Sequence, residues 1–265
     1  MAGALKITAL VLGSGTSTGV PVIGCECPAC ASADPRDRRL RTGLHLSCDG
    51  FALQIDAGPD FREQVLAHRI RRIDSIIITH AHADHIFGLD EIRQFNTLQH
   101  ARVTAYARAF AIGGIHRVFK YIFTPSPSQN ALYRPQMDLV NLPDRPLQIG
   151  PFTVESISVP HGPEKSTALK IHAGGASLVY APDCSEVTPR FAKFMRGVDT
   201  VMLDALRERP HQSHLTFTAA VNAILQSGAR RGYVTHIGHD LAHERIIRRL
   251  PSHITPAHDG LRIEI

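Results

Sequence analysis

The run Thr79-His80-Ala81-His82-Ala83-Asp84-His85 constrains this chain more than any other stretch, because four metal-competent side chains crowd behind an apolar segment. Asp74 to Thr79 reads as a buried strand, a short β-branched run bounded by polar residues. The cluster therefore falls at the C-terminal end of a strand, where α/β proteins place their chemistry. His80 and His82, two apart on an extended backbone, can converge on one ion. Asp84 and His85 lead into a helix and can turn toward a second. Imidazole with carboxylate suits zinc, manganese or iron. A solvated His-rich turn is the bland alternative, and four ligand-type residues at this spacing argue against it.

A strand-end cluster supplies at most four ligands, and two metals need more. The second half of the chain offers His161 before Gly162-Pro163, Asp183 after Leu178 to Pro182, and His236 after Gly232 to Thr235. A lone His or Asp at a loop entry is usually a cap or a satisfied polar group. Three at matching strand ends, beside the dense cluster, read together as the rest of a metal shell.

The coarse order begins with strands at Leu5 to Leu12, Gly43 to Cys48 and Phe51 to Ile55. A helix follows at Phe61 to His68, then the strand ending at Thr79 and a helix over Ile86 to Leu98. The second half repeats this loosely. Strands are expected at Phe152 to Val159, Ala168 to His172, Ser177 to Tyr180, Thr200 to Asp204 and Tyr233 to His236. Helices are expected near Pro189 to Met195, Phe217 to Gln226 and Leu241 to Leu250. Two β-rich halves that each close in β-α alternation suggest two sheets packed face to face with helices outside. No low-complexity linker divides the 265 residues, so one domain over 1–265 is expected. Tyr121 to Pro146, rich in Pro, Ser, Asn and Asp, reads as a long surface loop beside the site.

The formal net charge of +5 is compatible with phosphate-bearing substrates, and equally with an ordinary solvated surface. Arginines cluster at Arg36 to Arg41 and Arg69 to Arg72 without interleaved aromatics, which weakens a nucleic-acid reading. Met1 to Gly13 is too short in apolar residues for a secretory or membrane segment, so a cytoplasmic location and no membrane partner are expected.

Five cysteines, three of them in Cys25-Glu26-Cys27-Pro28-Ala29-Cys30, fit metal binding better than disulfides. Thiolates at C-x-C-x-x-C spacing can wrap one tetrahedral zinc and need a fourth ligand. His239, three residues beyond His236, is the candidate, and a reduced thiol loop or redox pair is the alternative. Cys48 reads as a small core residue. Cys184 has no assigned role, nor do His45, His100, His116 and His258.

At this point the chain resembles the metallo-β-lactamase-fold hydrolases, whose H-x-H-x-D-H, later His, Asp and last His occur here in the same order. The resemblance runs from Leu5 to the C-terminus and implies a four-layer αβ/βα sandwich. It implies His80, His82 and His161 on one divalent ion, Asp84, His85 and His236 on a second, and Asp183 bridging them. Asp56, in Ile55-Asp56-Ala57-Gly58, matches the family's early acidic residue that supports the site from behind. The segment Leu12 to Pro21 followed by the cysteine loop resembles the cyclic-phosphodiesterase branch, which includes the phosphodiesterase of the carbon–phosphorus lyase pathway. That segment is no dinucleotide fingerprint, since Thr18 stands where the third glycine belongs.

This resemblance implies hydrolysis of cyclic or other small phosphodiesters by a hydroxide held between two ions (zinc, manganese, nickel or iron), with one further structural zinc. It makes His214, in Ser213-His214-Leu215-Thr216, a proton donor, with His211 as a competitor, and it makes a homodimer an expectation. Other readings of the same shell are a thioester or lactone hydrolase and a non-catalytic metal-binding protein of cofactor synthesis. A tRNA 3′-end endonuclease is a further one, although no Gly/Lys-rich arm is present.

Overall fold

Alternation along the strands sorts the apolar residues into an inner and an outer set, and this sorting builds the layers. The computed structural model describes residues 6–123 and 134–265. In the first half, β1 (Thr8–Gly13), β2 (Gly43–Cys48) and β3 (Phe51–Ile55) form an antiparallel meander. Helix α1 (Phe61–His68) then crosses over to β4 (Ser75–Ile78), which lies parallel to β3. Strands β5 (Val103–Ala107) and β6 (Met137–Asn141) continue that parallel run, with α2 (Ala83–Ile86) and α3 (Ile92–Gln99) before β5 and α4 (Ala109–Val118) and α5 (Lys120–Phe123) before β6.

The second half mirrors this order. Strands β7 (Leu147–Ile149), β8 (Phe152–His161), β9 (Glu164–Ala173) and β10 (Ala176–Ala181) are antiparallel. After α6 (Pro189–Met195), β11 (Thr200–Asp204) pairs parallel to β10. Helix α7 (Phe217–Ser227), β12 (Arg231–Thr235), α8 (His243–Ile247) and β13 (Ile254–Pro256) follow. The last strand, β14 (Arg262–Glu264), returns to pair with β1. The described residues thus form two seven-stranded sheets, ordered β14-β1-β2-β3-β4-β5-β6 and β13-β12-β11-β10-β9-β8-β7.

The sheets face each other across one core, where Leu44, Leu46, Leu53 and Ile55 meet Leu169, Ile171, Leu178 and Tyr180. A second cluster seats helices on the first sheet through Phe61, Ile76, Ile92 and Ile115. A third seats α6 and α7 on the other through Phe191, Val201, Ala220 and Ile224. This is the four-layer αβ/βα sandwich. No helix among the described residues is long and apolar enough to cross a membrane.

Two expectations need correction. The helix expected over Ile86 to Leu98 is interrupted, because α2 stops at Ile86 and a 3₁₀ turn at Leu89–Glu91 precedes α3. Gly88 is the cause: a Cβ there would lie 2.2 Å from the carbonyl oxygen of Gly58, so the backbones touch. The stretch Tyr121 to Pro146 is not one loop, since it ends α5 and contributes β6 to the sheet edge. Residues 124–133 of it lie outside the described residues. Leu5, where the first strand was expected to begin, lies outside them too.

Candidate metal centre

The parallel strands of both sheets end on the same rim, and the chemistry collects there. Beyond β4, Thr79 and His80 continue extended, and α2 turns Asp84 and His85 back under them. His80 Nε2 lies 2.9 Å and His161 Nε2 3.3 Å from His82 Nδ1, so three imidazole nitrogens converge. On the other side, His85 Nε2 is 3.4 Å from Asp84 and 3.1 Å from Asp183. His236 Nε2 stands 3.6 Å from Asp84 and 3.4 Å from Asp183. Asp183 also reaches to within 3.8 Å of His161 Nε2, which places it between the two sets. All seven side chains named from the sequence are therefore brought together.

Hydrogen bonds behind the cluster aim these side chains. Asp56 is fully buried and accepts from Thr79 N and Thr79 Oγ1, both at 2.8 Å, and from His85 Nδ1 at 2.7 Å. That last bond fixes the His85 tautomer and leaves Nε2 for the cluster. His161 Nδ1 donates to the Ser213 carbonyl at 2.8 Å, with the same result. At the mouth, His82 Nε2 lies 3.0 Å from Glu164. Asp56 (φ 58°) and His236 (φ 55°) both hold left-handed backbone, a conformation costing about 1–3 kcal/mol that concentrates at functional sites.

Within this cluster His85 Nε2, Asp183 Oδ2 and His236 Nε2 are buried without a hydrogen-bond partner among the described residues. Lone pairs orphaned at van der Waals distance from one another are what divalent cations satisfy. The donor set of imidazoles and carboxylates fits such ions. Burial alone would lift the Asp183 carboxyl, but His236 and His85 outweigh it and hold it well below the usual range. Burial opposes charge on His236 as well, yet the neighbouring Asp183 and Asp84 carboxylates raise it to about 9.

His214 stands at the edge of this group, its ring stacked 4.6 Å from His236 and 3.7 Å from Asp183. Its Nδ1 is 2.9 Å from Asp204 Oδ2. The same oxygen accepts from Cys184 N at 3.1 Å and Leu215 N at 3.3 Å. Burial raises Asp204 well above the carboxylate range and lowers His214 to about 3. Asp204 escaped the sequence reading, although it closes β11 at the rim where Asp183 was sought. His211, the competitor, packs 5.2 Å from His214 and spends Nδ1 on Ser213 N–H.

A separate group gathers at the cysteine loop. His239 Nδ1 lies 3.3 Å from Cys25 Sγ, 3.4 Å from Cys27 Sγ and 3.6 Å from Cys30 Sγ. A tetrahedral zinc with Zn–S near 2.3 Å has edges of about 3.5–3.8 Å, which these separations approach. The Cys30 N–H bond is the largest influence on Cys27, whose thiol falls to about 6. Buried Arg39 donates to the carbonyls of Gly238 at 2.7 Å and Leu241 at 3.0 Å, anchoring the turn that joins His236 to His239.

The family model described as "Beta-lactamase superfamily domain" matches residues 53–237. The chain belongs to this superfamily. Among solved structures it is similar to a new diphosphatase from the PhnP family, at TM-score 0.89 and 39% identity over 98% of both chains. Among curated proteins it is 33% identical over 256 residues to an octanoyltransferase of Porphyromonas gingivalis. That match covers 95% of this chain but spans only half the length of the relative (50%). It is also 31% identical over 218 residues to coenzyme PQQ synthesis protein B of Methylobacterium nodulans, covering 74% of this chain and 72% of that one. It shares the metallo-β-lactamase fold with them.

Proposed function

We propose that this chain hydrolyses small phosphodiesters, cyclic or linear, whose departing group is a poorly acidic alcohol. The observation that carries the reading is the buried Asp204–His214 pair beside the seven-group cluster. His80, His82 and His161 would hold one divalent ion and Asp84, His85 and His236 a second, with Asp183 shared. Bound there, the ions supply Lewis acidity toward the phosphoryl oxygens. The remaining work falls to the chain itself. Asp56, Ser213 and Glu164 keep His85, His161 and His82 in the tautomers that face the cluster. Asp204, which burial favours in its protonated form, donates to His214 Nδ1, so that Nε2–H is the donor to the leaving oxygen as the P–O bond breaks and the carboxyl proton passes to Nδ1. The similarity to a PhnP-family diphosphatase supports phosphoryl chemistry.

A second reading, acyl hydrolysis, draws on the similarity to the octanoyltransferase. Physical chemistry disfavours it for thioesters. A thiolate, with a pKa near 8.5, departs without a proton, so a buried proton-delivering pair would have no task. The test compares turnover of bis-p-nitrophenyl phosphate, a cyclic alkyl phosphodiester and an acyl thioester by protein loaded with zinc, manganese, nickel or iron. Cleavage of the phosphodiesters with little thioester turnover supports the proposal. Thioester cleavage alone, or no phosphodiester cleavage with any metal, overturns it.

A further inference from the structure

A cavity of about 260 Å³ opens on the helix-covered face of the first sheet, at the start of β3 rather than at the rim that carries the histidine cluster. Register explains its lining. Arg262 sits opposite Leu10, Leu10 opposite His45, and His45 opposite Gln54, a row of side chains crossing four strands on one face. Helix α1 ends short of this row, and residues 69–72 turn back along its side. Thr8, Ser47, His45, His68, Arg71 and Arg262 contribute to the walls.

The charges on these walls exceed what the fold needs. Arg69, which also lines the cavity, caps α1 in left-handed conformation (φ 54°), and a cation at a helix C-terminus is favourable there. Arg72 is committed to Asp74 at 2.8 Å. Arg71 and Arg262 have no ion pair among the described residues, and no helix end accounts for them.

One buried group turns this surplus into a specific site. His45 is only 9% exposed, yet it borders the cavity. Gln54 Nε2 donates to the carbonyls of Ile55 and Asp56, at 3.1 and 2.7 Å, which fixes the amide with Oε1 toward His45. His45 Nδ1, 3.2 Å from that oxygen, is therefore the donor. Nε2 is left with a lone pair and no hydrogen-bond partner among the described residues. A fully ionised tetrahedral anion has nothing to offer that lone pair. A phosphoryl group that retains one proton does, through its P–OH.

We propose that this cavity binds a monoprotonated phosphoryl group, with Arg71 and Arg262 on its charged oxygens and His45 Nε2 accepting from its P–OH. Free phosphate, a phosphate monoester and a lipid headgroup share that chemistry. The site is distinct from the histidine cluster and does not depend on what that cluster hydrolyses.

The test is imidazole ¹⁵N NMR of zinc-loaded protein, with the His45 signal identified by its loss in His45→Gln. Inorganic phosphate is expected to shift that signal saturably, with sulfate needing at least about tenfold higher concentration, the worth of one hydrogen bond to a charged group. The exposed double variant Arg71→Gln/Arg262→Gln should fold normally and weaken the phosphate response at least about tenfold. Parallel titrations with glycerol 3-phosphate and with phosphatidic acid vesicles identify which source of the group binds most tightly. A signal unmoved by phosphate, an equal response to sulfate, or an undiminished response in the double variant each overturns the assignment.

Discussion

Replacing Asp204 with Asn removes the carboxyl proton that the pair shares and almost no volume, and it isolates the proton-delivery step. In the wild type, Oδ2 accepts from Cys184 N and Leu215 N and is bonded to His214 Nδ1, while Oδ1 is buried without a partner. An asparagine can keep its oxygen at the crowded position and place its NH₂ where Oδ1 lies. The fold should survive, because both backbone N–H bonds are retained and one unpaired NH₂ costs about 1–3 kcal/mol. What disappears is the proton that Asp204 gives to His214 Nδ1, so that Nε2 no longer carries one to deliver, a loss comparable to one hydrogen bond to a charged group, about 1.5–3 kcal/mol. Carried fully into the barrier, that loss lowers kcat by roughly 10- to 150-fold. The loss should depend on the leaving group. An alkyl phosphodiester needs the proton and should show it, whereas a p-nitrophenyl ester departs as a stabilised phenolate and should lose little. Steady-state kcat on the two substrates, at matched metal content, measures the difference. Equal losses on both, or none on either, would refute the role given to the Asp204–His214 pair.

Three other perturbations have outcomes set by the structure. Cys27→Ser should lower zinc content by one ion per chain and reduce turnover, since the cysteine group shares a short turn with His236; unchanged metal content by elemental analysis would contradict this. Gly88→Ala should lower stability by roughly 1–3 kcal/mol, because the new Cβ would meet the Gly58 carbonyl at 2.2 Å and cannot be relieved by a rotamer, and an unshifted denaturation midpoint would count against it. Asp259, raised from 3.8 to about 6 by burial, favours its protonated form in the folded state. Its contribution is therefore full below about pH 4 and lost as pH rises through about 6. Asp259→Asn should flatten that part of the stability profile in denaturant titrations, and a steeper profile would sink the argument.

The site was legible where chemistry coincided with strand ends. His80 to His85, His161, Asp183 and His236 each follow an apolar run, so the period of the strand exposed them. Asp204 obeys the same rule and was passed over only because no ligand pattern drew attention to it. Other features lie beyond a one-dimensional reading. The break at Gly88 arises from contact with Gly58, thirty residues earlier, while the helical spacing of Ile86, Leu89, Ile92 and Phe95 runs straight through it. Strand β6 was hidden because only Met137 of its five residues is buried, so this edge strand lacks the continuous buried apolar run that marks β4. His45 looked unremarkable in sequence, since its setting depends on Arg262 coming from the far end of the chain to the edge strand on the other side of β1.

The central claim is that segments distant in sequence form one cradle for two cations. Anomalous-scattering maps from crystals of metal-loaded protein test it most directly. The account requires one peak within bonding distance of His80, His82 and His161, and a second at Asp84, His85 and His236, with Asp183 touching both. A single peak elsewhere, or well-ordered Asp183 and His236 side chains that contact no metal, would contradict it.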